Sequence, residues 1–95
     1  MAGDVVFVYN AEKSKLLREK RGLGFEEMVE YIEDGKTVST RLHPNQKKHP
    51  GQWQYEVDVE GYMYVVPFYP HGNIRDLKTL YPSRKANKKH KGISL

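Results

Sequence analysis

The stretch WQYEVDVEGYMYVVPFYP, residues 53–70, carries the clearest strand pattern in the chain. Its first half alternates strictly between apolar and polar side chains, which is typical of a strand with one buried face. The apolar positions are Trp53, Tyr55, Val57 and Val59. We expect these four side chains to face the core.

The second half of the stretch predicts a central strand. Glu60-Gly61 has the composition of a tight turn, and the nearly continuous apolar run of residues 62–69 follows it. Proline has no N–H for a sheet ladder, so Pro67 predicts either a bulge or the end of this strand. The two halves together predict an antiparallel hairpin.

Two more strands are predicted on either side of this hairpin. Residues 36–43 alternate in the manner of a strand, and a polar loop at residues 44–51 connects them to the hairpin. The last strand is predicted at residues 74–81, after a turn at residues 70–73.

The beginning of the chain predicts one strand and two helices. Residues 4–9 are β-branched and aromatic, which is typical of a short strand. Asn10 is a good N-cap, residues 11–21 are helix formers, and Gly22 ends the helix. The second helix has the clearest periodicity, with apolar residues at i, i+3, i+4 and i+7 and Gly35 as its end. Its inner face consists of Phe25, Met28, Val29 and Ile32.

The predicted order is β-α-α-β-β-β-β in a single domain over residues 1–95. This is an α+β fold in which an antiparallel sheet of four to five strands carries two N-terminal helices. Residues 82–95 are predicted to be a short basic helix or a tail. Because Ala86 is the one apolar residue between positions 84 and 91, we expect that burial does not hold this segment.

The composition indicates a soluble globular protein. The 95 residues are 38% apolar and 29% charged, which suits one small domain. The absence of cysteine excludes disulfide frameworks, thiolate zinc sites and cysteine nucleophiles. The longest apolar run is far too short to span a membrane, and the first residues lack the basic region of a signal peptide. We therefore expect a cytoplasmic protein.

The charge is segregated along the chain. Its net value is +4, yet all 12 acidic residues lie at or before position 76. Residues 25–34 hold only acidic charges and residues 36–51 only basic ones. A strongly basic surface suits a polyanion such as RNA, although a solvated cationic tail has the same composition. The basic residues after position 76 are Lys78, Arg84, Lys85, Lys88, Lys89 and Lys91.

Three segments resemble one known family. Residues 7–13 (FVYNAEK) are similar to an aromatic-Asp-x-x-Lys opening, and residues 20–27 (KRGLGFEE) to a Lys-His-Gly-hydrophobic-x-Phe-Glu-Glu signature. Residues 83–86 (SRKA) are similar to an Arg-x-Ala element after the final strand. The chain thus resembles the BrnT-type toxins of bacterial and archaeal type II toxin–antitoxin systems, which are small relatives of the RelE-type ribonuclease toxins. It departs from the family pattern at Asn10, Leu17, Arg21, Gln52 or Gln54, and His90.

The resemblance implies a RelE-like fold and a metal-independent endoribonuclease that cleaves RNA and inhibits translation. A protein antitoxin encoded by an adjacent gene would neutralise it. In such toxins arginine, lysine and tyrosine side chains stabilise the phosphate charge and transfer protons, without a histidine pair. The resemblance implies no cofactor.

On this basis four residues are candidate catalytic groups. Arg84 is expected to clamp the phosphate with its planar guanidinium. Tyr81 is expected to be the general acid or a platform for base stacking, and the alternative is a core aromatic at a strand end. Arg75 shares strand parity with Tyr81, so both are predicted to face one side, whereas Lys78 faces the other. His43, at the end of its strand, is a candidate general base or phosphate contact.

Basic residues are the candidate RNA contacts. A basic loop followed by Trp53 suits single-stranded RNA, although the alternation of the strand favours a core position for this residue. The candidates are Arg41, Lys47, Lys48, Lys78, Lys85, Lys88 and Lys89. The four histidines do not have the spacing of a metal site, so we predict none.

Two other functions fit the same sequence. The fold would also suit a module that binds nucleic acid without cleaving it, or a protein-interaction domain whose basic tail docks on an acidic partner. For a toxin, we expect an acidic antitoxin over the basic surface around Arg41, Lys78 and Arg84. The rival antitoxin site is the acidic face of the second helix, residues 25–34.

Overall fold

The computed structural model describes residues 4–91, with side chains for residues 4–87. Within this range the chain forms six strands and three helices. In order they are β1 (Val6–Val8), α1 (Ala11–Arg21), α2 (Phe25–Glu33), β2 (Thr37–Leu42), β3 (Trp53–Val59), β4 (Tyr62–His71), β5 (Ile74–Leu77), β6 (Tyr81–Pro82) and α3 (Arg84–Lys91). The fold is therefore α+β, as the sequence predicts. No helix in the described range is long and apolar enough to cross a membrane.

The strands form one mixed sheet in the order β1-β5-β4-β3-β2, and the short strand β6 pairs with β4. The pairs β2–β3, β3–β4 and β4–β5 are antiparallel, but β1 runs parallel to β5. The prediction of an entirely antiparallel sheet is therefore wrong at this edge. Because two helices and three strands separate β1 from β5, their pairing depends on long-range packing that local patterns do not reveal.

The helices α1 and α2 form close to the predicted positions and contact each other directly. Asn10 caps α1 by accepting a hydrogen bond from the Lys13 N–H at 2.8 Å, and Gly22 ends the helix with a φ of 76°. Ser14 is buried and accepts a hydrogen bond from the Phe25 N–H at 2.8 Å. This bond satisfies one of the free N–H groups at the start of α2.

The main core lies between these two helices and one face of the sheet, which we call the α1–α2 face. Tyr55 and Val57 are buried there, and Trp53 and Val59 are partly buried against them. The face predicted from the alternation of β3 is therefore confirmed, and Trp53 belongs to the core. The other buried residues of this core come from helices, strands and the segments that connect them: Leu17, Leu23, Phe25, Met28, Val66, Phe68, Leu77 and Leu80.

The β3–β4 hairpin forms as predicted, but its proline behaves differently. Glu60 and Gly61 both have positive φ, 52° and 93°, as in a tight hairpin turn. Pro67 lies within β4 in regular register, so the predicted bulge or strand end is wrong. Its C=O accepts a hydrogen bond from the Lys78 N–H at 2.9 Å, so its nitrogen faces the interval between β5 and β6. Because the neighbouring strand is interrupted there, the missing N–H costs no regular ladder bond.

The third helix packs on the opposite face of the sheet, which we call the α3 face. Ala86 is buried there against Met63 and Val65, and Ser83 caps the helix by accepting a hydrogen bond from the Ala86 N–H at 3.1 Å. Asn87 accepts a hydrogen bond from the Met63 N–H at 3.0 Å and donates one to the Met63 C=O at 3.3 Å. The expectation that burial does not hold this segment is wrong, since these contacts fix the start of α3 on β4.

Candidate nucleic-acid interface

The α3 face carries several of the predicted site residues, and the strand register sets their order. Glu56 of β3 and Tyr81 of β6 both pair with Val65 of β4, so they belong to one row across the sheet. Arg41 of β2 pairs with Gln54 in the next row. Neighbouring strands lie about 4.8 Å apart, which places Glu56 and Tyr81 about 10 Å apart on either side of β4.

A buried carboxylate holds Arg41. Its Nη2 lies 2.9 Å from Oε2 of Glu56, whose side chain is only 1% exposed. The amide Nε2 of Gln54 lies 3.5 Å from the same oxygen. Such partners are needed because a buried charge has lost its water. The guanidinium of Arg41, whose side chain is still 45% exposed, is thus fixed in place and partly neutralised.

A second cation on this face lies beside an aromatic ring. The Nζ of Lys78 is 5.8 Å from the ring centroid of Tyr69 and 3.0 Å from Oδ2 of Asp76. Tyr69 and Asp76 pair across β4 and β5. A partly exposed ring next to an ammonium group suits a nucleobase and its phosphate. Tyr69 is not among the candidates predicted from the sequence, although its even spacing from Val65 places both residues on the same face of β4.

Tyr81 is half-buried on the α3 face. It packs against Met63, Val65 and Ala86. Burial raises the pKa of its phenol above the ordinary value, because the ionised form would lose its hydration. The hydroxyl of Tyr81 is therefore a neutral proton donor over a wide pH range.

Arg75 does not face the same side as Tyr81, so the parity prediction is wrong. Their pairing partners on β4 are five positions apart, and positions an odd number apart point to opposite faces. The alternation is lost at residues 78–80, where the chain leaves the ladder and Leu80 enters the α1–α2 core. Lys78 lies over the ring of Tyr69 on β4, so it is on the same face as Tyr81. The prediction that Lys78 faces the other side is therefore wrong.

The surroundings of Arg75 are those of a structural residue. Its guanidinium donates hydrogen bonds to the backbone oxygens of Gly72 at 2.7 Å and Ile74 at 3.1 Å. It also lies beside Tyr55, where it partly offsets the rise in the phenol pKa that burial causes. These contacts tie the β4–β5 turn to the core and leave Arg75 away from the α3 face.

His43 extends the β2–β3 ladder by one residue, since its N–H donates to the Gln52 C=O at 2.8 Å. Two positions after Arg41, it lies on the same side of the sheet as predicted. Its Nδ1 accepts a hydrogen bond from the Asn45 N–H at 2.9 Å, and its ring centroid is 4.5 Å from that of His49. Burial, followed by the neighbouring His49, lowers the pKa of His43. The neutral ring therefore carries its proton on Nε2, which makes that atom a donor.

The loop of residues 44–51 is organised around one glutamine. Gln46 donates hydrogen bonds to the backbone oxygens of His43 at 2.8 Å and Gln52 at 3.0 Å, and its Oε1 accepts one from the Gly51 N–H at 2.9 Å. The exposed side chains of Lys47 and Lys48 project from this loop. They lie next to His43, at the β2 edge of the sheet.

The first turn of α3 adds two exposed cations, Arg84 and Lys85. Among residues 4–87, neither of them forms an ion pair. They are therefore available to an anionic ligand on the side of the sheet that carries α3. The side chains of Lys88 and Lys89, which the sequence analysis also proposes as RNA contacts, lie outside the described residues.

The described side chains include no group of three or more histidine and acidic residues placed to hold a metal ion. Comparisons with family models, curated proteins and solved structures give no match. The site is thus interpreted from its own geometry. The structure brings Arg41, His43, Lys78 and Tyr81 to one face and places Arg75 on the other.

Proposed function

We propose that this chain is the toxin of a type II toxin–antitoxin system, acting as a metal-independent endoribonuclease on cytoplasmic RNA and inhibiting translation. The proposal rests on the resemblance of residues 7–13, 20–27 and 83–86 to BrnT-type toxins. One structural observation supports the enzymatic part. It is the neutral, half-buried phenol of Tyr81 on the same face as Arg41 and Lys78.

Cleavage by attack of the 2′-hydroxyl would use these groups in distinct roles. The guanidinium of Arg84 and the ammonium of Lys78 would stabilise the negative charge that develops on the phosphate. The phenol of Tyr81 would give its proton to the leaving 5′-oxygen, and the proton of the attacking 2′-hydroxyl would pass to solvent water, from which Tyr81 is later reprotonated. Tyr69 would hold a neighbouring base by stacking.

His43 fits a phosphate contact better than a general base. Its Nδ1 already accepts the Asn45 N–H, and its Nε2 carries the proton of the neutral ring. A hydrogen-bond donor at Nε2 suits a phosphate oxygen. We therefore assign His43 to substrate binding in this proposal.

The proposal includes a RelE-like topology and an acidic antitoxin encoded by an adjacent gene. The α+β order, with two helices on one face of the sheet and a basic third helix on the other, supports the topology. An antitoxin that covers Arg41, Lys78 and Arg84 would block access of phosphate to the α3 face. Arg84→Glu should then weaken the complex strongly, and Glu30→Lys on α2 should not.

A cleavage assay with the purified protein tests the enzymatic role. Tyr81→Phe removes the hydroxyl and keeps the ring, so we expect RNA cleavage to fall about 100-fold or more while RNA binding changes little. Tyr62→Phe is the matched control, because Tyr62 is 44% exposed at the β3–β4 turn. Cleavage should persist in EDTA. Undiminished cleavage by Tyr81→Phe would contradict the assignment of this residue.

Growth of cells tests the biological role. Expression of the chain alone should arrest growth, and co-expression of the neighbouring gene should restore it. Unimpaired growth at good soluble expression would contradict the toxin assignment.

A nucleic-acid-binding module without catalysis is the second candidate function. The ion pair of Arg41 with the buried Glu56 favours it, because this guanidinium is partly neutralised before any phosphate arrives. Tyr69 and Lys78 would serve binding alone equally well. RNA binding by the wild type without any cleavage product would select this function, whereas loss of RNA binding altogether would favour a protein-interaction domain.

A further inference from the structure

A groove lies between α1 and the end of β5, and Lys78 is the one described residue lining it that is also assigned to RNA. Its volume is about 680 Å³, and it runs from Asn10 and Lys13 on α1 to residues 76–79 on the other wall. The buried side chains of Leu17 and Leu77 lie at its base. The groove is therefore a surface feature with an apolar floor.

One stripe of α1 forms the helical wall of this groove. Its members recur at i, i+3, i+4, i+7 and i+8, which is the spacing of one helix face. They are Lys13, Leu16, Leu17, Lys20 and Arg21. Leu16 is 62% exposed at the centre of the stripe, between cations one turn away on either side. A single exposed leucine is ordinary on a protein surface, so Leu16 is informative only together with the cations beside it and the apolar floor of the groove.

The charges of the groove favour an acidic partner. Lys13, Lys20 and Arg21 form no ion pair within the described part of the chain. Arg18, which lies on another face of α1, is by contrast paired with Glu26 and Glu27 on α2. Two carboxylates, Glu12 and Asp76, also line the groove, and Asp76 is paired with Lys78. Lys13, Lys20 and Arg21 are therefore the groove cations that remain available to an external carboxylate.

The floor of the groove favours a peptide over RNA. None of the described residues that line it is aromatic, so it offers no ring on which a base would stack. Leu16 instead offers an exposed aliphatic side chain for apolar side chains, above the buried Leu17 and Leu77. An amphipathic helix laid into such a groove buries its apolar anchors and keeps its acidic residues near the cationic rim.

We propose that this groove docks an acidic amphipathic segment of a partner protein, with apolar residues over Leu16 and carboxylates against Lys13, Lys20 and Arg21. The residues that make up the docking site, Lys13, Leu16, Lys20 and Arg21, are not among the proposed catalytic groups, and docking does not depend on RNA cleavage. Lys78 borders both regions. An acidic segment in the groove would therefore lie next to the RNA surface.

A designed peptide tests this docking site. The probe is a fluorescent peptide of about 14 residues, with leucines at i, i+3, i+4 and i+7 and glutamates elsewhere. Two control peptides have the same leucines with lysines in place of the glutamates, or the same composition in scrambled order. Fluorescence anisotropy measures the affinity, and NMR shift changes locate the contact on the wild-type protein.

Variants of the exposed stripe sharpen the test without disturbing the core. Leu16→Ala and Lys20→Glu should each weaken binding of the acidic peptide about tenfold. Lys15→Glu is the matched control, since Lys15 lies on the same helix outside the groove, and its effect should be less than about twofold. Thermal melts of the variants verify that each is folded.

The opposite results would overturn the proposal. These are the absence of binding by the acidic peptide, equal binding of the lysine or scrambled peptide, or equal binding to Leu16→Ala and wild type. A groove that serves RNA gives its own pattern: Lys20→Glu weakens binding of a single-stranded RNA, and Leu16→Ala affects neither ligand. That pattern would show that the groove binds RNA and not an acidic peptide.

Discussion

Gly24 lies where α1 and α2 are in contact, and its lack of a side chain is required there. A Cβ at this position would lie 2.7 Å from Oγ and 2.8 Å from the backbone oxygen of Ser14. The neighbouring Phe25 is fully buried, and Gly22 ends α1 in a left-handed conformation. Helix packing thus explains much of residues 20–27, the segment that carries the strongest family resemblance. The resemblance of that segment therefore concerns the fold, and the groups proposed for the chemistry lie on the α3 face.

His43 predicts a pH dependence of stability. Its pKa is lowered in the folded protein by burial and by His49, so the unfolded chain binds the proton more readily. The free energy of unfolding should therefore be highest above about pH 6.5 and decrease as the pH falls through the lower, folded pKa. Urea unfolding at several pH values measures this decrease.

His43→Asn is the informative variant for that measurement. An asparagine side chain can accept the N–H two residues ahead, as His43 does from Asn45, but it does not titrate. We expect the stability of this variant to vary less with pH between about 7 and 5. An unchanged slope in His43→Asn would assign the pH dependence to other groups.

Among the secondary-structure elements, the sequence predicts the buried face of a strand correctly only where the alternation along that strand is unbroken. The alternation of β3 is unbroken, so its buried face is predicted correctly from Trp53 to Val59. The same argument fails between Arg75 and Tyr81, because the ladder is interrupted at residues 78–80. The interrupted segment lies opposite Pro67 on β4, whose C=O accepts the Lys78 N–H. Because these two residues are distant in sequence, the alternation along one strand does not reveal the interruption.

The third helix shows a different reason for failure. The scarcity of apolar residues predicts that burial does not hold this segment on the sheet. Asn87 nevertheless joins it to the backbone of Met63 with two hydrogen bonds. A polar side chain that bonds a strand gives no signal in a hydrophobic pattern. The motif Ser83-Arg84-Lys85-Ala86 ends one residue before this asparagine.

Asn87→Ala should therefore destabilise the protein. The backbone N–H and C=O of Met63 would lose their hydrogen bonds to the Asn87 side chain at a partly buried site. We expect the free energy of unfolding to fall by about 1–3 kcal/mol. Lys85→Ala is the matched control on the same helix, because its side chain is exposed. Chemical denaturation measures both variants. Equal stability of Asn87→Ala and wild type would mean that α3 is not fixed by these bonds.

At the scale of the whole molecule, the two faces of the sheet differ in what they carry. The α1–α2 face contains the main core, whereas the α3 face presents cations and tyrosines around a smaller cluster of Met63, Val65 and Ala86. The sequence predicts the basic surface from charge segregation and the core face from alternation. It does not predict that Glu56 is buried beneath Arg41, because a polar residue in an alternating strand is expected to face water.

The salt dependence of RNA binding measures how many of these cations meet phosphate. Each neutralised phosphate of a single strand contributes about 0.7 to the slope of log K against log salt, because bound counterions are released. Removal of the whole segment after Tyr81 would expose Met63 and Val65, so point variants are the better probe. Arg84→Ala combined with Lys85→Ala should flatten the slope by about 1.4 and leave the fold intact.

The matched control for that measurement is Lys15→Ala combined with Lys36→Ala, two exposed lysines that neither line the groove nor belong to the proposed RNA site. This double variant removes the same charge, so it has the same effect on the net charge of the protein. If the slope depends on net charge alone, the two double variants will flatten it equally. A change confined to Arg84 and Lys85 would instead locate the RNA phosphates at the start of α3, as the proposed function requires.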